Sequence, residues 1–107
     1  MMTRMRDLSR IAVIDTHVHI WQMQWPWMKW LENRTPDWDV VRRDFSWDNL
    51  CAELDAAGVD ELMLMQASPD CAETKYYLEV ASGQPRIRGV VGWVSLLSTT
   101  KTAADLE

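Results

Sequence analysis

The chain has 107 residues, of which 48% are hydrophobic and 25% charged, and its formal net charge is −5. This composition is ordinary for a globular protein and leaves room for one small domain with its own core. The acidic balance argues against a nucleic-acid or anionic-membrane partner, because either would select a basic surface. No apolar run approaches the roughly 20 residues that a membrane-spanning helix needs.

The start of the chain and its cysteines bear on the compartment. The basic residues 1–10 are followed by the short apolar run Ile11–Ile14 and then by Asp15, too little for a secretory signal. Cys51 and Cys71 form neither a CxxC pair nor a dense framework, so we expect free thiols in a reducing compartment. The sequence therefore predicts a cytoplasmic protein, and it leaves open whether the protein is a homo-oligomer.

The first predicted strand, near residues 11–16, runs into the chain's only two histidines, His17 and His19. Side chains two apart on a strand point to the same face, so Asp15 is predicted to share that face with both histidines. Imidazole suits zinc and related ions, and α/β proteins bind ligands at the carboxyl ends of their strands. The pair is a candidate metal site. The alternative is two exposed or structurally hydrogen-bonded histidines.

A tryptophan-rich loop, residues 20–45, follows the histidines and contains five of the seven tryptophans. Long loops in compact domains are usually functional, and aromatic walls commonly line small-molecule pockets. We predict that Trp21 and Trp27 line a substrate pocket over the histidines. The alternative is that these indole rings only pack on one another at the mouth of a barrel.

Two further strands are predicted near residues 61–66 and 87–96, both apolar on both faces, as in a covered parallel sheet. Before the second strand, Ser46 is predicted to cap a helix that ends at Gly58. After it, the capping-box pattern Asp70–Glu73 predicts the start of another helix. The order is therefore β-α-β-α-β, with the right-handed crossovers typical of parallel sheets.

The predicted elements are too few to close a barrel, since eight strands and their helices take about 250 residues. A further helix is predicted from Thr99 onward. We therefore expect the opening part of a larger α/β protein, and the alternative is a complete three-stranded domain. Gln66, at the end of the second strand, is predicted to line the substrate pocket; it could equally be a hydrogen-bonded strand-end group.

A family resemblance starts at Ile14–Trp21, which reads IDTHVHIW. It resembles the opening of the amidohydrolase superfamily, in the branch of TIM-barrel metal-dependent hydrolases related to sugar lactonases and pyrone-dicarboxylate lactonase. Residues 57–67 resemble the second strand of that branch, residues 73–74 the start of its second helix, and residues 89–94 its third strand. These motifs follow one another in the same order over nearly the whole chain.

The resemblance implies that residues 1–107 are the N-terminal part of one barrel domain, comprising three βα units of a (β/α)₈ barrel. It implies that His17 and His19 are metal ligands, zinc being the expected ion, and that the full-length protein hydrolyses a lactone or related carbonyl compound through metal-activated water. The acid/base Asp of the family lies beyond Glu107, so the catalytic residue is unknown here and the chain alone is expected to be inactive. Some lactonases of this branch are thought to work without a metal. The histidines would then hydrogen-bond the substrate.

Three other functions remain as alternatives. A decarboxylase of the same superfamily would share the barrel and the first-strand motif. A PHP-type phosphoesterase also opens with His-x-His, but Ile20–Gln22 stand where those proteins usually have a small hydroxylated residue and an Asp-Gly turn. A non-catalytic fragment could associate with another chain through an open edge of its sheet.

Overall fold

The computed structural model describes residues 11–107, which form a parallel sheet with helices. In chain order the elements are strand β1 (Ile14–Val18), a 3₁₀ helix (Pro26–Met28), helix α1 (Lys29–Glu32), a second 3₁₀ helix (Pro36–Val41), helix α2 (Trp47–Ala57), strand β2 (Glu61–Met65), helix α3 (Cys71–Ser82), strand β3 (Ile87–Val91) and helix α4 (Thr99–Leu106).

The sheet has the order β1-β2-β3, and both neighbouring pairs are parallel. Each strand is followed by a helix, so three βα units stand side by side. The parallel sheet predicted from the apolar strands and helical spacings is confirmed. All three strands therefore present their carboxyl ends, and the loops that follow them, at one edge of the sheet.

The core lies on the face of the sheet that the helices cover. Leu62 and Leu64, which alternate along β2, are fully buried. The core cluster consists of Val18, Ile20, Leu54, Leu62, Leu64, Tyr77 and Ile87. Because side chains alternate across a strand, burial of Val18 and Ile20 on this face directs the residues between and before them to the other face.

Two helices begin at the predicted caps. The Ser46 side chain accepts a hydrogen bond from the Asn49 backbone N–H at the start of α2. The Asp70 side chain does the same for the Ala72 N–H at the start of α3. The capping box differs from the prediction, because the Glu73 carboxylate is fully buried and accepts hydrogen bonds from the loop that precedes the helix.

The strands differ from their predicted bounds because a strand ends where its neighbour ends. β1 begins at Ile14, opposite the first residue of β2, and continues through Val18 rather than stopping at Thr16. β3 ends at Val91, opposite Met65, instead of extending to residue 96. Beyond that point no strand of the described part of the chain is available for pairing.

Among residues 11–107, no helix combines the length and apolar character required to cross a membrane.

Gly58 ends α2 in the left-handed region, with φ of 72°. A side chain costs about 1–2 kcal/mol in that conformation, so Gly58→Ala should lower the free energy of unfolding by about that amount. Gly83, which ends α3, has φ of −99°, and a Cβ added there would meet only the Val80 carbonyl oxygen, at 3.8 Å. Gly83→Ala is therefore the matched control. Urea unfolding of both variants tests this, and equal losses would contradict it.

Candidate functional site

The two histidines lie at the carboxyl end of β1, His17 within the strand and His19 just after it. The β1–β2 register shifts between Asp15 and Val18, so β1 carries a bulge at this point. Bulges next to functional sites commonly redirect side chains. Here the shift places Val18 opposite the buried Leu64, with His17 and His19 on the other side of the strand.

The imidazole rings of the two histidines meet through their Nε2 atoms, which lie 3.1 Å apart. The ring centroids are 4.9 Å apart and the planes are nearly perpendicular. His17 is exposed and His19 is half-buried. The pair is thus open to solvent on one side and held by the sheet on the other.

The second ring nitrogen of His19 is held by β2. Its Nδ1 lies 2.7 Å from the backbone carbonyl oxygen of Met65, the last residue of that strand. A carbonyl oxygen can only accept, so Nδ1 carries the proton and donates it. The Nε2 of a neutral His19 then has a free lone pair directed toward His17, which is the tautomer that a metal ligand requires.

This geometry fits a shared divalent ion. Two nitrogens bound tetrahedrally to one zinc at about 2.0–2.1 Å would lie roughly 3.3–3.4 Å apart. The observed Nε2–Nε2 distance of 3.1 Å is close to that separation. Without a metal, the same distance suits a hydrogen bond in which His17 donates to His19, so the predicted metal role of the pair is compatible with the structure and stays a prediction.

Asp15 does not extend the pair into a larger ligand set. Its carboxylate accepts a hydrogen bond from the backbone N–H of His17 at 3.1 Å, and it is used locally. Within residues 11–107, no group of three or more His, Cys, Asp or Glu side chains is placed to hold a metal ion. The prediction that Asp15 lies on the same face as the histidines assumed that side chains alternate without interruption along β1. The bulge between Asp15 and Val18 breaks that alternation.

Trp21 is the predicted pocket residue that lies beside the histidines. Its ring centroid is 6.0 Å from that of His19 and 5.3 Å from that of Phe45. The indole N–H donates to the Arg43 carbonyl at 2.8 Å, and backbone hydrogen bonds join Trp21 to Phe45 in both directions. The two ends of the tryptophan-rich loop are therefore closed onto each other next to His19.

Trp27 lies in a different cluster. It packs with Trp25 and with Tyr76 of α3, at centroid distances of 5.4 and 6.0 Å. Farther along the loop, the Arg34 guanidinium lies 5.4 Å from the ring centroids of both Trp30 and Trp38. Trp21 therefore borders His19, and other rings of the loop pack on one another. The substrate-pocket role of Trp21 stays a prediction. The structure does not bring Trp27 to His17, and its pocket role stays a prediction.

Gln66 uses its whole side-chain amide within the loop after β2. Its Nε2 donates to the carbonyls of Ser68 and Asp70, at 2.7 and 2.6 Å. Its Oε1 accepts from the Thr74 hydroxyl at the start of α3. The structure thus gives Gln66 the strand-end arrangement that the sequence left as the alternative, and its contribution to a pocket stays a prediction.

A cavity of about 420 Å³ opens beside His19. It lies between the end of the tryptophan-rich loop and α2, and combines an aromatic ring with charged and amide groups. Its lining includes His19, Arg43, Phe45, Asn49 and Glu53. Its volume is in the range of small-molecule sites. Sequence reasoning missed Arg43 and Phe45, whose only signal was their position just before the capping Ser46.

Tyr77 fixes the point where the loop leaves the sheet. It is fully buried, and its hydroxyl donates to the carbonyl of Ile20, the residue after His19. Burial raises the pKa of Tyr77 above its ordinary value near 10.0, and the negative charge of Glu73 raises it further. The neutral phenol is therefore the form that the folded chain requires.

No protein-family model matches the chain. Among curated proteins, it is 36% identical over 95 residues to an L-fucono-1,5-lactonase of Burkholderia ambifaria, a match that covers 84% of this chain and 30% of the relative. It is 31% identical over 86 residues to an L-fucono-1,5-lactonase of Burkholderia multivorans, covering 78% of this chain and 27% of the relative. The chain thus spans less than a third of the length of the curated relatives it matches.

The chain is also similar to a solved amidohydrolase structure. The chain superposes on a crystal structure of an amidohydrolase from Burkholderia multivorans with bound zinc, with a TM-score of 0.75 and 28% identity. The superposition covers 91% of this chain and 33% of that protein. The chain is related to the amidohydrolases, as the motifs along its sequence predicted. Its sheet and helices correspond to the N-terminal βα units of an amidohydrolase (β/α)₈ barrel.

Removal of the Tyr77 hydroxyl should destabilise the chain and alter its response to alkali. Tyr77→Phe should cost about 1 kcal/mol, because the Ile20 carbonyl loses its buried donor. Since the folded-state pKa is raised, the contribution of the phenol is fully present below its ordinary pKa and is lost as the pH rises above it. The wild-type free energy of unfolding should therefore fall above about pH 10, and less steeply in the variant.

Urea unfolding near neutral pH and at alkaline pH measures both effects. Tyr76→Phe is the control, because Tyr76 packs its ring against Trp25 at 4.8 Å and is only half-buried. A Tyr77→Phe variant with wild-type stability and an unchanged alkaline profile would show that the phenol does not hold the loop.

Proposed function

We propose that this chain supplies part of the active site of a metal-dependent lactone hydrolase. The observation that carries the proposal is the convergence of the His17 and His19 Nε2 atoms at the carboxyl end of β1, in a sheet that matches an amidohydrolase. The similar solved protein binds zinc, and both curated relatives are named as L-fucono-1,5-lactonases. Zinc is therefore the proposed ion and a sugar lactone the proposed substrate class.

In this proposal the residues of the chain bind the metal ion, orient one of its ligands and limit the access of water. His17 and His19 hold the ion through Nε2, and the Met65 carbonyl keeps His19 in the required tautomer. A divalent ion in that position would polarise the ester carbonyl and activate water for attack. Trp21 forms an apolar wall next to His19, which limits the access of bulk solvent.

Hydrolysis also needs a general base that accepts a proton from the attacking water. Asp15 and Glu73 are carboxylates near the ends of β1 and β2, and both accept hydrogen bonds from backbone N–H groups. We therefore propose that neither carboxylate is the general base. We assign that carboxylate to the part of the amidohydrolase barrel that this chain does not span.

The cavity beside His19 is the proposed position of the substrate ring. Sugar lactones carry several hydroxyl groups, and the lining offers the Arg43 cation, the Asn49 amide and the Glu53 carboxylate for hydrogen bonds. The Phe45 ring gives an apolar surface for the carbon face of such a ring. This mixture suits a polyhydroxylated cyclic ester better than a purely apolar ester.

Zinc binding tests the ligand assignment. The chain should bind one zinc ion weakly, because a closed protein site uses three or four ligands and this chain offers two. His17→Ala and His19→Ala should each lower the affinity at least about tenfold, or about 1.4 kcal/mol. Glu79→Gln, on the exposed side of α3, is the control. Titration calorimetry in which both histidine variants bind zinc like the wild type would exclude the pair as ligands.

Activity requires the rest of a barrel. The 107-residue chain with zinc should open no sugar lactone at an enzymic rate, because an unclosed site does not hold its ligands in a preorganised geometry. A chimaera in which residues of this chain replace the matching 95-residue region of the Burkholderia ambifaria relative should hydrolyse L-fucono-1,5-lactone. His17→Ala should abolish that activity, while Glu79→Gln, on the exposed side of α3, should not.

A pH-indicator assay measures lactone opening through the acid that it releases. Circular dichroism shows whether the chimaera is folded. A folded, zinc-binding chimaera that leaves all lactones intact would contradict the lactonase proposal. Release of carbon dioxide from a carboxylated substrate would favour the decarboxylase alternative instead. Turnover by the 107-residue chain alone, lost in His17→Ala, would show that it is a complete enzyme.

A further inference from the structure

The peptide bond between Met65 and Gln66 is held from both sides of β2. Its carbonyl oxygen accepts from His19 Nδ1 at 2.7 Å, on the β1 side. Its N–H donates to the Val91 carbonyl at 3.0 Å, on the β3 side. One peptide plane at the end of the central strand therefore links the third strand to the imidazole of the candidate metal ligand.

The orientation of a peptide bond at a strand end depends on what holds the next residues. Here the chain leaves the sheet after Met65, and beyond the Gln66 N–H, which still donates to Val91, the following residues have no strand neighbour in the described part of the chain. The Gln66 side chain holds these following residues by donating to the carbonyls of Ser68 and Asp70 and by accepting from Thr74. The amide of the Gln66 side chain thus joins the loop after β2 to the first turn of α3.

A buried carboxylate completes this support. The two oxygens of Glu73 accept from the Ala67 backbone N–H, at 2.6 Å, and from the Ser68 hydroxyl. Glu73 is fully buried, and its place in the first turn of α3 favours a negative charge. Thr74 also accepts from the Trp93 backbone N–H at 3.1 Å, so the same helix turn reaches the segment after β3.

Gly92 gives this turn the space it needs. A Cβ at Gly92 would lie 2.5 Å from Thr74 Cγ2, which is closer than real Cβ atoms approach other heavy atoms. Thr74 therefore reaches Gln66 and the Trp93 backbone only because residue 92 lacks a side chain. The arrangement is a set of mutually dependent contacts around one strand end.

We propose that Gln66 is a positioning residue for His19. By joining the loop that follows the Met65–Gln66 peptide to α3, together with Glu73 and Thr74, its side chain keeps the acceptor of His19 Nδ1–H in place. The imidazole is thereby held in the Nδ1–H tautomer with Nε2 available for a metal. The zinc readout below rests on the proposed function, while the tautomer readout is independent of it.

The test compares Gln66→Met, which keeps the length of the side chain and removes its hydrogen bonds, with the wild-type chain. The chain has two histidines, so long-range ¹H–¹⁵N spectra resolve each ring, and His17→Ala assigns them. His19 should be in the Nδ1–H tautomer in the wild type and become a mixture of tautomers in Gln66→Met. Zinc affinity should fall by roughly 10–100-fold, the range for residues that orient a metal ligand.

Gln84→Met is the matched control, because Gln84 lies just after the opposite end of α3. It should leave both the tautomer and the zinc affinity unchanged. If circular dichroism shows that Gln66→Met does not fold, Thr74→Val replaces it, since it keeps the shape of Thr74 and removes the hydroxyl that donates to Gln66 Oε1 and accepts from the Trp93 N–H. It should shift the tautomer in the same direction.

A folded variant in which His19 keeps the wild-type tautomer would overturn the proposal, and so would a wild-type chain in which His19 is not protonated at Nδ1. If Gln66 only lined a substrate pocket, its replacement would leave the tautomer unchanged. If neither the wild type nor the variant binds zinc, the metal proposal fails, and the tautomer shift still decides the positioning role.

Discussion

The hydrogen bond from His19 Nδ1 to the Met65 carbonyl joins the candidate metal site to the central strand of the sheet. It is the contact through which the fold determines the chemistry of an imidazole ring, because it selects which nitrogen remains free. It exists only if β1 and β2 are parallel, adjacent and in the observed register. The orientation of the His19 ring therefore depends on the bulge in β1, on the end of β2 and on the loop after it.

The loop after β2 depends in turn on a buried acidic group. Burial of an unpaired carboxylate would be costly, but Glu73 accepts two hydrogen bonds and lies in the first turn of a helix, where a negative charge is favoured. Its charge also raises the pKa of Tyr77, whose hydroxyl holds the backbone of Ile20. The same helix face thus supports the ends of both β1 and β2.

The tryptophan-rich loop shows how far composition alone can lead. Its length and position after His19 correctly placed Trp21 beside that histidine. Composition could not separate Trp21 from Trp27, because an indole ring suits a substrate wall and a packed cluster equally well. The difference arises from Tyr76 of α3, which meets Trp27 across the fold and is distant from it in sequence.

Local sequence determined the elements and their class. Three parallel βα units could be predicted from the apolar runs, the caps at Ser46 and Asp70 and the spacing of the helices. His17 and His19 likewise indicated the end of the first strand. These signals are readable in the sequence because they act between near neighbours. Tertiary structure decided the strand bounds, the bulge, the two hydrogen bonds of Glu73 and the tautomer of His19. Each of these depends on a partner from another strand or helix, and a sequence pattern does not specify which backbone groups the completed sheet brings within hydrogen-bonding distance.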